Sequence, residues 1–270
     1  MNDTAFITRE LNDGVLTLTL NRPEVLNALN APLLAELRAA LTLASASEDV
    51  GVVVLRGAGR GFCAGGDLRG GATQRPPGDG QGLGGFDAWS ASLRDAMEIA
   101  RMIHRFPVPT IAMLHGPTAG AGLSLAAACD VRIAAAGASF TTAFIKVGFS
   151  GDFGITYFLT RLLGTAKARE LMYFSDKLDA AEALRIGLVQ RVVPDEQIGA
   201  ATQEWALRIA RGPRIAYRYM KRNLNSAEEG TLEQLLDMEA LHLTRTRYTE
   251  DHREAAQAFA EKRAPEFKGR

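Results

Sequence analysis

A single carboxylate is the first candidate for chemistry in this sequence. Asp152 lies in the segment Gly151-Asp-Phe-Gly154, where an apolar stretch predicts a helix from Phe153 to Leu163. A carboxylate near an apolar pocket loses hydration, which raises its pKa and suits it to take and return a substrate proton. Aspartate is also a common helix N-cap, so a purely structural role for Asp152 is the alternative.

The stretch from Pro109 to Asp130 predicts a strand, a glycine turn and a helix. Ile111 to Leu114 is apolar enough for a buried strand, and Gly120-Ala-Gly122 opens the apolar helix Leu123 to Ala128. The first N–H groups of a helix have no partner within it and can point at an incoming oxygen. The turn therefore suits half of an oxyanion hole, although the glycines can also serve only close packing.

A second buried strand, Val52 to Arg56, also runs into a glycine-rich turn, Gly57 to Leu68. The spacing of its first glycines is reminiscent of a nucleotide-binding loop. That fingerprint requires a helix directly after the turn, and none is predicted here. The turn is therefore not interpreted as a dinucleotide site.

With these two turns in view, the chain resembles the crotonase, or enoyl-CoA hydratase/isomerase, superfamily. Four blocks in family order carry the resemblance: Asn21-Arg-Pro-Glu-Val-Leu-Asn-Ala-Leu29, Phe62-Cys-Ala-Gly-Gly-Asp-Leu68, His115-Gly-Pro-Thr-Ala-Gly-Ala-Gly122 with Cys129-Asp130, and Ala181-Glu-Ala-Leu-Arg-Ile-Gly-Leu-Val189. They span nearly the whole chain. The resemblance implies an α/β fold, a crotonase-like spiral of ββα units with a C-terminal helical appendage, and an acyl-CoA thioester as substrate.

The resemblance also implies the site residues. Asp152 is the expected catalytic acid/base, and the backbone N–H groups of Ala64 and Ala121 are the expected oxyanion donors. The residues expected to contact the CoA thioester are Glu24, Val25, Ala28, Phe62, Gly65, Gly66, Asp67, Leu68, Gly120, Phe144, Phe259 and Lys262.

Many hydratases of the family carry two glutamates where this chain has Ser124 and Phe144. Hydration is well served by two acid/base groups, whereas moving a double bond needs one base and an oxyanion hole. Double-bond isomerisation with Asp152 is therefore preferred. The alternatives are hydration of a 2-enoyl-CoA, epoxide or ring isomerisation on an aromatic acyl-CoA, and a non-catalytic CoA-thioester-binding protein.

Dehalogenation would use Asp152 as a nucleophile and would also need a histidine base. None of the histidines matches that position, so His104, His115, His242 and His252 are interpreted as surface or packing residues.

Composition limits the partners. The 270 residues hold 31 basic and 31 acidic side chains, a balance that predicts no recruitment by nucleic acid or an acidic membrane surface. Cys63 and Cys129 lack a C-x-x-C spacing, so we expect no metal site. No signal or membrane-spanning segment is recognised, which leaves the cytoplasm as the expected location. We expect no cofactor, because coenzyme A enters as part of the substrate.

Several elements follow from local patterns. Asn12-Asp-Gly14 predicts a hairpin turn, and Asn30 predicts the N-cap of a helix from Ala31 to Ser45. The glycine-rich stretch Arg69 to Gly85 predicts a mobile loop. Asp87 to His104 predicts one helix with an apolar stripe for core packing or, at Trp89 and Met97, for lining an acyl pocket.

The predicted organisation is an α/β core over residues 1–195 and a helical region over 196–270. The resemblance implies that the helical region mediates trimerisation, as a homotrimer or a dimer of trimers. In that resemblance, Phe259 and Lys262 contact the CoA nucleotide, often from a neighbouring subunit. An amphipathic last helix with a basic end explains the same residues without a ligand.

Overall fold

The structure is a computed structural model that describes residues 5–70 and 83–270. The nine strands within these ranges are β1 Ile7–Asn12, β2 Val15–Leu20, β3 Val52–Gly57, β4 Thr110–Leu114, β5 Pro117–Ala119, β6 Val131–Ala135, β7 Ser139–Thr141, β8 Leu178–Asp179 and β9 Arg191–Val193. The α-helices there are α1 Ala31–Ser45, α2 Leu83–Ala96, α3 Glu98–His104, α4 Ala121–Ala128, α5 Ile155–Phe174, α6 Ala180–Arg185, α7 Ile198–Ala210, α8 Arg214–Ala227, α9 Leu232–Arg247 and α10 Glu250–Glu261.

The strands form two sheets. The larger sheet has the order β1-β2-β3-β4-β6-β9 and is parallel except for the β1–β2 hairpin. The smaller sheet has the order β5-β7-β8, and an isolated parallel bridge joins Cys63 to Thr118 of β5. Successive turns of the chain thus add one strand to each sheet before a helix returns. This is the expected crotonase-like spiral of ββα units.

The hairpin and the first helix are confirmed. In the turn, Asp13 and Gly14 both have positive φ, 49° and 77°, as a two-residue hairpin of this twist requires. The side chain of Asn30 caps α1 by accepting a hydrogen bond from the Leu33 N–H at 3.0 Å. Both elements follow from short-range chemistry that the sequence displays directly.

Alternate residues of the large sheet pack into two apolar layers, one on each face of the sheet. On β3, Val53 and Leu55 face the layer covered by α1, α3, α4 and α5, whereas Val52 and Val54 face the opposite layer. That opposite layer is completed by apolar residues of α7, including Ile198, Ala201 and Ala206. The boundary predicted at residue 195 stays a prediction, but the first helix beyond it is part of the core.

The predicted helix from Asp87 to His104 is wrong in one respect, because the chain forms two helices that are separated at Met97. Trp89 and Leu93 of α2 are exposed, whereas Ile99 and Ile103 of α3 are buried. Only the second half of the stripe therefore packs in the core. The predicted mobile loop lies mostly outside the described residues, since 71–82 are not described.

None of the helices in residues 5–70 and 83–270 has both the length and the apolar character that crossing a bilayer requires.

Candidate active site

Asp152 does not cap a helix. The helix that follows it, α5, begins at Ile155, and its N-cap is Gly154, whose φ of 78° a glycine adopts readily. Asp152 contributes only its main-chain carbonyl, which accepts a hydrogen bond from the Ile155 N–H at 3.1 Å. The helix also continues beyond Gly164, where we expected it to end, after a break in helical geometry at that glycine. The structural alternative for the Asp152 carboxylate is therefore wrong.

The Asp152 carboxyl is half-buried and poorly satisfied. Its Oδ1 atom is buried and has no hydrogen-bond partner in the described part of the chain. Loss of hydration raises the pKa of this carboxyl to about 6. A carboxyl with that pKa is mostly ionised at neutral pH and still basic enough to exchange a proton with a carbon acid.

A serine of α4 connects the Asp152 loop to the glycine turn. The Ser124 Oγ lies 3.1 Å from the main-chain oxygen of Asp152 and 3.3 Å from that of Gly120. Ser124 is fully buried, so this contact is sheltered from water. The loop that carries the carboxyl is thus tied to the start of α4.

The start of α4 is pressed against the turn at residues 63–66. Gly120 precedes the helix with φ 51° and ψ −128°, a conformation that is open to glycine. A Cβ atom built at Gly122 would lie 2.5 Å from the Cys63 carbonyl oxygen, so only glycine fits there. As the first residue of α4, Ala121 has an N–H group that the helix itself does not satisfy.

The second amide of the predicted oxyanion pair requires a correction. The Ala64 N–H donates a hydrogen bond to the Leu26 carbonyl at 2.9 Å and is therefore already occupied. Two residues on, the Gly66 N–H has no acceptor among the described residues, and a Cβ built at Gly66 would meet no atom within 4 Å. The neighbouring Leu29 N–H and Asp67 N–H hold this turn at 2.7 Å and 2.8 Å.

The two turns that carry the open amides lie close together. A Cβ built at Gly65, the residue before Gly66, would lie 3.6 Å from the Ala121 nitrogen. The Gly66 N–H therefore replaces the occupied Ala64 N–H as the candidate donor in this turn, and the Ala121 N–H stays a candidate. Which amide stays open depends on the pairing of residues 26–29 with 64–67, a long-range contact that local sequence does not encode.

A shallow cavity of about 380 Å³ lies beside this turn. Six of the predicted substrate-binding residues line it or border it directly, and they are Glu24, Val25, Ala28, Gly66, Asp67 and Leu68. Arg60 and Arg69 also line it and supply positive charge that the sequence analysis did not single out. The structure thus brings the first two sequence blocks together around one opening.

Asp67 is committed to ion pairs at this cavity. Its carboxylate lies 3.0 Å from the Arg22 guanidinium and 3.1 Å from that of Arg69. Hydrogen bonds from Arg69, and then from Arg22, hold the pKa of the Asp67 carboxyl well below its usual range. Asp67 therefore holds the loop in place rather than exchanging protons.

Three predicted contact residues lie elsewhere. Phe62 is completely buried in the core, and its contact with the CoA thioester stays a prediction. Phe259 is 87% exposed at the end of α10, and neither it nor Lys262 lines a described cavity of this chain. A contact with CoA from a neighbouring subunit stays a prediction for those two residues. Phe144 is buried with its ring edge close to Gly120, as a wall residue should be.

The histidines have local partners instead of the Asp152 carboxyl. The His115 Nε2 atom lies 3.0 Å from the Gly59 carbonyl oxygen, and His104 packs against Tyr157 and Phe158. Burial lowers the pKa of both imidazoles. These contacts agree with packing roles.

Comparison with known proteins gives one consistent result. The family model for enoyl-CoA hydratase/isomerase matches residues 10–270. A Rhodobacter capsulatus protein described as a probable enoyl-CoA hydratase is 37% identical over 264 residues, which is 98% of this chain and 98% of its own. The 1,2-epoxyphenylacetyl-CoA isomerase of Escherichia coli strain K12 is also 37% identical, over 98% of this chain and 99% of its own. The crystal structure of enoyl-CoA hydratase from Bacillus anthracis superposes with a TM-score of 0.88 at 33% identity, covering 98% of this chain and 100% of that one.

The spiral of paired sheets, with two glycine turns beside a half-buried carboxyl, defines an α/β protein of the crotonase-like class. The chain belongs to the enoyl-CoA hydratase/isomerase family and is an enzyme of that family.

Proposed function

We propose that this enzyme moves a carbon–carbon double bond within an acyl-CoA thioester, with Asp152 as the only acid/base. The observation that carries the proposal is the Asp152 carboxyl, which is partly desolvated, has no partner for Oδ1 among residues 5–70 and 83–270, and has a pKa of about 6. The positions where many hydratases carry glutamates hold Ser124 and Phe144, which cannot exchange protons in this range. One base is sufficient for an isomerisation.

The N–H groups of Gly66 and Ala121 are the proposed oxyanion donors. Both lack a main-chain acceptor in the described residues, and the close contact of Gly65 with the Ala121 nitrogen keeps the two turns together. Amides that are fixed in the fold stabilise an enolate oxygen without reorganising during the reaction. Loss of one such donor typically costs about 100- to 1000-fold in rate.

The reaction follows from these groups. With a 3-enoyl thioester, the Asp152 carboxylate removes a proton from C2. The electron pair of the C–H bond moves into a dienolate, whose oxygen accepts hydrogen bonds from the two N–H groups. The protonated Asp152 then returns the proton to C4, which leaves the double bond between C2 and C3. The carboxylate is regenerated, so the cycle needs no other reactant.

The cavity beside Gly66 is the proposed entrance for the CoA moiety. Phosphate groups require cations, and Arg60 and Arg69 line this opening in a protein whose overall charge is balanced. Arg69 already pairs with Asp67, which leaves Arg60 as the less constrained of the two.

We infer that no resident cofactor takes part. The oligomeric state, trimer or dimer of trimers, and the cytoplasmic location also remain predictions.

A second candidate is epoxide or ring isomerisation on an aromatic acyl-CoA. It is favoured by the 37% identity to a relative named 1,2-epoxyphenylacetyl-CoA isomerase. The same single base and oxyanion donors would serve it, so the two candidates differ in the acyl group. Hydration of a 2-enoyl-CoA is supported by the relative described as a hydratase.

The test is a mass-spectrometric assay in deuterated water. The purified enzyme and its Asp152→Asn variant are offered a 3-enoyl-CoA and a 2-enoyl-CoA separately. We expect the 3-enoyl substrate to isomerise, the 2-enoyl substrate to gain no water and the variant to be inactive while remaining folded. Addition of water to the 2-enoyl substrate would instead identify a hydratase.

A phenylacetyl-CoA epoxide is offered in a third reaction. Its conversion without conversion of the linear 3-enoyl substrate would favour the second candidate. Binding of all these thioesters without conversion, and without deuterium exchange at C2, would identify a non-catalytic binding protein.

A further inference from the structure

A large cleft is lined in part by Phe153 and Gly154, the two residues that follow Asp152 in the chain. Its volume is about 840 Å³, and it lies between α3, the start of α5, α8 and α9. The apolar side chains that line it, here called the apolar wall, are Met97, Phe106, Phe153, Phe158 and Met238. The Asn225 side chain donates a hydrogen bond to the His104 carbonyl at 2.9 Å, which holds α8 against α3 at the base of the cleft.

The same cleft carries an excess of positive charge. Arg105, Arg218 and Arg222 line the cleft, and none of them has a carboxylate partner within residues 5–70 and 83–270. Glu229 is the acidic residue that lines the described cleft, and it accepts a hydrogen bond from Tyr157. Arg105 and Arg222 are exposed to solvent, whereas Arg218 is half-buried.

The other cationic side chains of the cleft already have a carboxylate partner. Lys221 pairs with Asp130 at 2.6 Å, whereas Arg94 and Arg101 pair with Glu98. The distinction identifies Arg105, Arg218 and Arg222 as the groups that are available to a ligand.

Arg218 is the best defined of the three. Its Nε atom is buried and has no hydrogen-bond partner in the described structure. A buried donor without an acceptor is costly, and such groups in a native protein usually receive a partner from a bound molecule or water. Because it lines the cleft, the missing acceptor can be supplied by a ligand that enters there.

The cleft adjoins the proposed reaction site. Phe153 and Gly154, which line it, directly follow Asp152 in the chain, and α3 packs against α4, whose first residue is Ala121. An acyl chain that passes Asp152 can therefore enter this cleft, which both apolar and cationic side chains line.

We propose that this cleft binds a carboxylate at the far end of the acyl group, so that the preferred substrates are acyl-CoA thioesters of dicarboxylic acids. The inference rests on the proposed function, because it specifies the acyl group that the same site takes. A planar guanidinium pairs with a carboxylate through two parallel hydrogen bonds, which matches the free donors of Arg218 and Arg222. The apolar wall accommodates the methylene chain between the thioester and that carboxylate.

The experiment compares substrates that differ only at the terminus. A 3-enoyl-CoA with a terminal carboxylate and one with a terminal methyl are compared over a series of chain lengths. For the wild type, we expect kcat/KM to favour the carboxylate by about 10- to 100-fold at the optimal length, the usual effect of a charge-assisted hydrogen bond. In Arg218→Met and Arg222→Met, this ratio should fall by a similar factor.

Arg208→Met provides the matched control, because Arg208 is an exposed arginine of α7 that does not line the cleft. It should leave the ratio unchanged. An equal ratio in wild type and Arg218→Met would overturn the proposal. So would a change of assembly state in Arg218→Met on size-exclusion chromatography, since the cleft would then be a contact with a second copy of the chain.

Binding separates this proposal from the proposed function. The affinities of saturated acyl-CoA thioesters with and without the terminal carboxylate are measured by calorimetry, which requires no turnover. A preference for the carboxylate that disappears in Arg218→Met, together with no isomerisation of any substrate, would retain the cleft and reject the isomerase. Isomerisation without any preference for the terminal carboxylate, in binding or in turnover, would retain the isomerase and reject the carboxylate site in the cleft.

Discussion

The Ser124 hydroxyl lies 3.1 Å from the main-chain oxygen of Asp152 and positions the loop that carries the carboxyl. Three residues of that loop, Gly151, Phe153 and Gly154, have positive φ, and for Phe153 this is an uncommon conformation. A strained loop keeps its geometry only when surrounding contacts hold it. The Ser124 contact is one of them.

Ser124→Ala should therefore impair turnover more than substrate affinity. The hydrogen bond is lost while the buried volume changes little, so we expect kcat to fall about 10-fold with KM nearly constant, as a loss of about 1.4 kcal/mol would produce. Ser90→Ala on the exposed face of α2 is the control and should behave as wild type. Equal kinetics for the two variants would show that Ser124 does not position the base.

The pH dependence of turnover should follow Asp152. Its carboxyl must be ionised to accept a proton, and burial raises its pKa to about 6. We expect kcat/KM to rise with pH, with a midpoint at about 6, and then to remain level toward pH 8. A rate that is independent of pH from about 4.5 to 8 would assign the base to another group.

Removal of the Asp152 charge should stabilise the fold at neutral pH. The folded-state pKa of about 6 exceeds the ordinary value of 3.8, so the folded state binds more protons than the unfolded state between these values. Stability contributed by this carboxyl is therefore greatest at low pH and is lost as pH rises through that window. After allowance for partial exposure, Asp152→Asn should gain about 1 to 2 kcal/mol at pH 7.5.

The free energies of unfolding of Asp152→Asn and of the wild type are measured by urea denaturation at pH 7.5 and near pH 4. The gain should be several-fold smaller at the lower pH, where the folded wild type is neutral at this position and its unfolded chain is about half ionised. A variant that is less stable than wild type at pH 7.5 would mean that the carboxylate has a favourable partner in solution.

The buried ion pair of Lys221 and Asp130 should be necessary for a stable fold. Lys221 is 5% exposed, and its ammonium group also donates to the carbonyls of Ile103 and Val108. Lys221→Met leaves the Asp130 charge without its partner, so we expect a loss of about 3 kcal/mol or more in the free energy of unfolding. Lys167→Met removes a more exposed pair with Glu170 and should cost less than about 1 kcal/mol.

The sequence was most informative where structure depends on neighbours in the chain. Asn30 at the start of α1 and the turn at Asp13 and Gly14 are confirmed because a cap and a hairpin turn are short-range features. The apolar runs at β3 and β4 were equally clear, since strands that are buried on both faces have few alternatives.

The sequence was least informative where the partner of a polar group comes from a distant segment of the chain. Ala64 and Gly66 have equally plausible amides until Leu26 is seen to bind the first of them. Asp152 has the local pattern of an N-cap, and only the start of α5 at Ile155 excludes that role. The cationic cleft was not predicted, because its arginines come from α8 and from the end of α3, more than a hundred residues apart in the chain.

The packing of α7 on the large sheet determines where this chain can be cut. A fragment that ends at residue 195 would leave Val52, Val54, Ile111, Met113 and Ile133 without cover, a continuous apolar face of parallel strands. Such a face in water favours self-association, so the fragment should precipitate on expression. A fragment that ends after Ala210 retains α7 as this cover. We therefore expect this fragment to stay in solution where the fragment that ends at residue 195 precipitates.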